Sequence, residues 1–189
     1  MEHQNSQTER KRYWQGLHRR LPPNGVTSAW PTEDACRARL AEIRWPDGVQ
    51  CPRCTSANIG VLEKRQTFHC KACRHHFTVQ SGSLFHHSRV TLQLWFSAAE
   101  IIIQDHVSGW HSAGPTGHDL KDKLGISYVA AHKLKRKIIA ELLLPHGGII
   151  GECILMPDDS GDWLDDHDLD ELDQFLNSMR STRRRNVLR

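Results

Sequence analysis

The stretch Cys51–Gly82, CPRCTSANIGVLEKRQTFHCKACRHHFTVQSG, holds four of the six cysteines of the chain. They fall into two C-x-x-C pairs, Cys51 with Cys54 and Cys70 with Cys73, and fifteen residues separate the pairs, Thr55 to His69. Each pair sets two sulfurs on one tight turn, and a spacer of this length suits a short β-hairpin that returns the chain to the first turn. Four thiolates arranged this way make a closed tetrahedral zinc site, with Zn–S distances of about 2.3 Å and a structural rather than catalytic role. One structural Zn2+ is therefore expected on Cys51, Cys54, Cys70 and Cys73. A four-cysteine iron centre uses the same ligands and stays as the alternative. His69, His75 and His76 flank the second turn, but four sulfurs already complete the shell, so the histidines are read as facing solvent or phosphate. A module this small has little core and draws much of its folding free energy from the ion.

Working outward, 189 residues suffice for one domain or two small ones, and a hydrophobic fraction of 38% is low for a single large core. No apolar run approaches the roughly 18–20 residues needed to cross a bilayer, so no membrane partner is expected. The opening residues MEHQNSQTERKRYW lack the apolar segment of a signal peptide. A cytoplasmic, nucleoid-associated location is expected, where thiols stay reduced and cysteines serve as metal ligands before disulfides. The net charge of +3 hides an asymmetry. Residues 151–189 carry ten acids and five arginines, whereas the first 150 residues carry 20 basic and 12 acidic groups with twelve of the thirteen histidines. A basic body with an acidic tail points to a polyanion partner for the body.

The expected fold class is mainly α with a small β zinc ribbon, followed by a helical helix-turn-helix module. Residues 1–31 read as a polar basic arm, or a short helix ending near Arg20. Residues 32–83 read as a helix and the zinc ribbon. In that helix Thr32 is the N-cap, Glu33 and Asp34 occupy the first turn, Ala35, Leu40 and Ile43 face inward with Cys36 as a core residue, and Pro46 and Gly48 end it. Residues 84–146 read as the helical helix-turn-helix domain, beginning with a buried helix that carries Leu92, Trp95, Phe96, Ala99, Ile102 and Ile103 at helical spacing. A Gly/Pro loop, GWHSAGPTGHDL, follows it. Residues 147–189 read as an acidic segment with a basic tail, with one helix carrying Leu169, Leu172, Phe175, Leu176 and Met179.

The segment GHDLKDKLGISYVAAHKLKRKIIAELL has the pattern of a helix-turn-helix. Leu120 and Leu124 give the first helix its apolar face, Gly125 takes a positive φ, Ile126 plugs the core and Ser127 caps the second helix. In that helix Ala130, Leu134, Ile138 and Leu142 are placed inward. A recognition helix offers its N-terminal residues to base edges and its basic groups to phosphates. Tyr128, Val129 and His132 are the candidate base readers; Lys133, Lys135, Arg136 and Lys137 are the candidate phosphate contacts. On the ribbon Arg53, Lys64, Arg65, Lys71, Arg74, His75 and His76 join the candidate set for double-stranded DNA, as do Arg89 and Ser127.

The order CPRCTS…FHCKACRHHFTVQSGSLFHHSRVTLQLWFSA followed by LGISYVAAHKLKRKI resembles the N-terminal half of insertion-sequence transposases of the zinc-ribbon type. In these a four-cysteine ribbon ends in a run here formed by Phe77, Val79, Gly82, Phe85, His86, Ser88 and Arg89, with Leu92 and Trp95 beyond it. The resemblance covers about residues 33–142. It implies modules that recognise the terminal DNA of the element, and it implies a following RNase-H-like domain whose Asp, Asp and Glu hold two metal ions. The chain departs there. In GIIGECILMPDDSGDW, Glu152 is followed by Cys153, Ile154 and Leu155, without the metal-binding Asp, and fewer than 40 residues follow Gly151. A non-catalytic DNA-binding protein is expected, a regulator, a remnant or a subunit of a larger protein–nucleic acid complex. The alternative is a protein–protein adaptor that uses the ribbon and the acidic C-terminal helix.

Overall fold

The fold closes around one apolar helix, α4 (Leu92–Ser108). Its sequence LQLWFSAAEIIIQDHVS buries Leu92, Trp95, Phe96, Ala98, Ala99, Ile102, Ile103 and His106, more than one face can present to a single neighbour. Every other described α-helix touches it: α1 (Glu2–Arg19), α2 (Val26–Ala29), α3 (Glu33–Arg44), α5 (Gly117–Leu124), α6 (Tyr128–Leu142) and α7 (Gly148–Ile154). The computed structural model describes residues 2–62, 65–108 and 114–157, with residues 2–10 placed by backbone alone. Lys64, part of the Gly/Pro loop, Asp158, Asp159, the expected Leu169–Met179 helix and the arginine-rich tail lie outside the described residues.

The sheet is small and separate. Strands β1 (Ile59–Leu62), β2 (Thr67–Cys70) and β3 (His76–Phe77) pair antiparallel in the order β1-β2-β3. Ile59 stands opposite Cys70 and Leu62 opposite Thr67, and Phe68 pairs with Phe77. The expected hairpin between the cysteine pairs is thus β1–β2, and β3 adds a third strand after the second pair.

The start of α3 follows its sequence. Thr32 Oγ1 accepts from the Ala35 amide at 3.1 Å, and Glu33 and Asp34 sit in the first turn, where they oppose the helix dipole. Cys36 and Leu40 are its fully buried residues, so the inward stripe lies one position beyond the expected Ala35. A similar one-residue shift occurs in α6, where Ala131 is buried with Leu134, Ile138 and Leu142, and Ala130 is not.

Residues 1–31 are expected above to form an arm or a short helix ending near Arg20; the helix ends at Arg19, and residues 13–26 send side chains into the core. Tyr13, Trp14, Leu17 and Val26 are buried there. The Trp14 ring stacks on the His106 imidazole at 3.8 Å and 14°, and the Tyr13 hydroxyl donates to the Leu142 carbonyl. Burial pushes the Tyr13 hydroxyl well above its ordinary value. Three carboxylates lock helix starts across the core. Glu33 accepts from the Leu92 and Gln93 amides at the start of α4, both at 3.1 Å. Glu100 accepts from Val26 at 3.2 Å, and Glu141 accepts from Ile149 at 3.0 Å. Each gives an acceptor to first-turn amides that have no partner within their own helix.

α3 packs on α4 and α7 although it runs directly into the ribbon. Arg39 donates to the carbonyls of Cys153 and Glu152 at 3.1 and 3.0 Å, a cation at the C-terminus of α7. Trp45, just past α3, packs against both hydrophobic clusters and joins ribbon to body. The Arg44 guanidinium lies 5.0 Å over its ring and donates to the Val79 carbonyl.

Candidate metal centre and nucleic-acid surface

The two C-x-x-C turns repeat one another bond for bond. Thr55 N–H donates to the Cys51 carbonyl and Arg74 N–H to the Cys70 carbonyl, both at 2.9 Å. Cys51 N–H donates to Ser56 at 3.0 Å and Cys70 N–H to His75 at 2.9 Å. The residue after each second cysteine has a positive φ, 57° at Thr55 and 58° at Arg74. That is an uncommon backbone for non-glycine residues, and the paired hydrogen bonds hold it.

The four sulfurs converge. Cys51 Sγ lies 3.6 Å from Cys73 Sγ, Cys54 Sγ lies 3.6 Å from Cys70 Sγ, and all four lie within 4.8 Å of one another. A tetrahedral ion with four Zn–S bonds of about 2.3 Å needs sulfurs roughly 3.8 Å apart, so the cluster is shaped for one ion. Backbone amides prepare it for thiolates: Arg53 N–H points at Cys51 Sγ from 3.4 Å. The Cys73 amide, the Cys54 sulfur and the Ala72 amide hold the Cys70 thiol down at about 6. At Cys54 the Ser56 amide pulls the same way, but the Cys73, Cys70 and Cys51 sulfurs and desolvation leave it up at about 12. Four thiols this close compete for protons, and a divalent cation removes that competition by replacing them.

Cys36 and Cys153 stand apart from the cluster. Both are fully buried in the helical core, and burial first of all pushes their thiols up to about 11 and about 12. They pack as small apolar residues. Around the cluster Arg53, Arg65, Lys71, Arg74 and His76 are exposed, and His75 is half-buried against the Phe77 ring at 6.0 Å. His76 sits across the sheet from His69, with ring centres 4.6 Å apart.

The second candidate surface is α5–α6. Thr116 and Asp119 cap α5 reciprocally: Thr116 Oγ1 accepts from the Asp119 amide at 3.2 Å, and Asp119 Oδ2 accepts from the Thr116 amide at 2.7 Å. Those Thr116 hydrogen bonds hold the Asp119 carboxyl below its ordinary range. Gly125 takes φ 65° and ψ 29° at the end of α5. Ile126 packs against the core, and Ser127 Oγ accepts from the Ala130 amide at 3.2 Å to start α6. Ser127 is thus engaged in capping through its oxygen. Tyr128, Val129, His132, Lys133, Arg136 and Lys137 are exposed on α6 and Lys135 is half-buried.

Lys137 Nζ stands 6.0 Å from the Trp95 ring, and Trp95 Nε1 donates to Ser88 Oγ at 3.0 Å. The run after the ribbon therefore reaches α6 through Trp95. Arg89 is exposed in that run. His118 was missed by the sequence reading, yet its ring lies 4.5 Å from Tyr128. Helical periodicity alone places it only on an exposed face of α5, without saying that α6 brings a ring there.

Among the described residues no helix is long and apolar enough to cross a membrane. No solved structure matches the chain. Residues 31–76, which comprise α3, both cysteine turns and the sheet up to its last strand, match the transposase zinc-ribbon domain. A protein described as uncharacterized in the transposable element ISH50 of Halobacterium salinarum is 30% identical over 115 residues, covering 59% of this chain and 36% of that protein. The chain thus spans about a third of that relative. These likenesses place a transposase zinc-ribbon domain in residues 31–76 and a relative of the chain in a transposable element.

Proposed function

We propose that the chain is a transposase-derived, non-catalytic protein that binds double-stranded DNA, with one structural zinc ion on Cys51, Cys54, Cys70 and Cys73. The observation that carries this reading is the coincidence of the transposase zinc-ribbon match with four converging sulfurs. Zinc, when bound, supplies four metal–sulfur bonds and no open position for chemistry. The ribbon and α3 are taken as one recognition unit, and α5–α6 as a helix-turn-helix with α6 as its recognition helix. The left-handed Gly125 between two capped helices supports that assignment.

Arg53, Lys64, Arg65, Lys71, Arg74, His75, His76 and Arg89 are proposed phosphate contacts of the ribbon side. Lys133, Lys135, Arg136 and Lys137 play that role on α6, where no carboxylate precedes Glu141. Tyr128, Val129 and His132 are the proposed base readers, and Ser127, which caps α6, joins the proposed DNA contacts beside them. Binding without cutting is supported by α7, where Glu152 is exposed and Cys153, Ile154 and Leu155 are buried, so that stretch offers a single accessible acid. The protein would act at the nucleoid as a regulator or as the DNA-targeting subunit of a larger complex.

The test is binding to mixed-sequence duplex DNA across a salt series. Log affinity should fall linearly with log salt, and replacing Lys133, Arg136 and Lys137 with alanine should flatten that slope by up to about 2.7, near 0.9 per lost phosphate contact. Binding that ignores salt, or a triple variant with unchanged slope, overturns the reading.

A further inference from the structure

The start of α6 carries a surface that phosphate contacts do not use. The Tyr128 ring lies 4.5 Å from the His118 imidazole at 31°, and 6.0 Å from His132 at 34°. Gly117 also packs close to the ring: a Cβ there would stand 3.0 Å from Tyr128 Cε2. The first turn of α5, fixed by the Thr116–Asp119 capping box, thus forms a floor under the ring. Held in this way, Tyr128 is still 44% exposed, and Val129 beside it is 60% exposed. Tyr128 and Val129, neighbours at the tip of the helix, thus offer an exposed apolar contact to a partner. The exposed Lys133, Arg136 and Lys137 further along α6 require the same partner to be anionic.

The DNA major groove meets both demands. Its phosphates supply the charge, and the thymine C5 methyl is the one apolar group on its floor. We propose that Val129 reads a thymine methyl, and that His118 and Gly117 are positioning residues that hold Tyr128 against its flank. This rests on the DNA-binding reading above and adds the chemical group recognised.

The experiment selects preferred duplexes from a random library with the full chain, then replaces each thymine of the selected site singly by uracil, which lacks only the methyl. At one or two adjacent positions uracil should weaken binding about fourfold, the worth of one buried methyl group. Val129→Ser should bind thymine and uracil alike at those positions, and His118→Ala should reduce the discrimination while the salt slope stays unchanged. Val129 is exposed, so circular dichroism of the variant should match the parent. Tolerance of uracil everywhere, or a Val129→Ser variant that keeps the loss, overturns methyl reading and leaves DNA binding standing. A library that enriches no duplex, from a chain that still binds mixed-sequence duplex with the expected salt slope, overturns methyl reading alone; a chain that retains no duplex at all overturns both.

Discussion

The ribbon and the helical body are held by different physics. Among the described residues the ribbon cluster has three that are buried, Cys51, Cys70 and Phe77, and two of them are candidate ligands. Its apolar burial reduces to Phe77, with half-buried Trp45, Val49, Ile59 and Phe68 around it. Among the described residues the body buries twenty-four in one continuous cluster built on α4. On the proposed zinc reading one region is held at a point, by four sulfurs that converge on one ion, and the other over an area, by excluded water. That difference orders the effects expected from perturbing each.

Removing the metal should have the largest effect, confined to the ribbon. A structural zinc site of this type contributes on the order of 10–16 kcal/mol of apparent folding free energy at neutral pH, far more than three buried side chains supply. Elemental analysis of the purified chain should give one zinc per molecule. Chelation, or Cys70→Ser, should collapse the amide resonances of residues 51–77 to random-coil positions while those of α1, α4 and α6 stay dispersed. A ribbon that keeps its dispersed resonances without metal would show that the sulfurs only happen to lie together.

The converse perturbation should be smaller and spread over the body. Phe96 is 1% exposed and meets Trp30 edge-on at 5.8 Å. Phe96→Ala should cost about 3–5 kcal/mol, lost transfer free energy plus the cavity left behind, and urea unfolding should report it as a lower midpoint. Zinc stoichiometry should not change. If the variant loses its metal as well, the two regions unfold as one unit and the contrast between them fails.

The sequence was most legible where the signal is local. The C-x-x-C spacing fixes two turns within four residues each, and the structure repeats their bonds. The Gly125 conformation and the caps at Thr32 and Ser127 were readable for the same reason: each depends on neighbours no more than four residues away. The apolar run of α4 is long enough that no competing pattern arises. Helix faces were harder, since Ala130 and Ala131 are chemically identical and only the packing angle of α6 chooses between them. The burial of Tyr13, Trp14 and Leu17 was hidden because they stand in a strongly polar helix whose partner surface, around His106, lies some ninety residues away. The same holds for His118, which meets Tyr128 only once the turn sets the angle between α5 and α6.

The carboxylate caps are the least legible feature, and one of them tests where the boundary between the two regions runs. Glu33 opens the helix that leads into the ribbon and lies within the transposase zinc-ribbon match, yet its carboxylate serves the α4 amides of Leu92 and Gln93, some sixty residues on. It also lies 3.4 Å from Arg37, a partly exposed pair of small worth. If α3 belongs physically to the body, Glu33→Ala should leave two first-turn amides of α4 without this acceptor and lower body stability by about 1–3 kcal/mol. Glu33→Gln, with one carbonyl oxygen in place of two, should recover part of that loss. In both variants the zinc content and the resonances of residues 51–77 should match the parent. A Glu33→Ala chain whose urea midpoint is unchanged, but whose zinc dissociates faster, would move α3 to the ribbon and make the matched segment 31–76 a folding unit as well as a sequence unit.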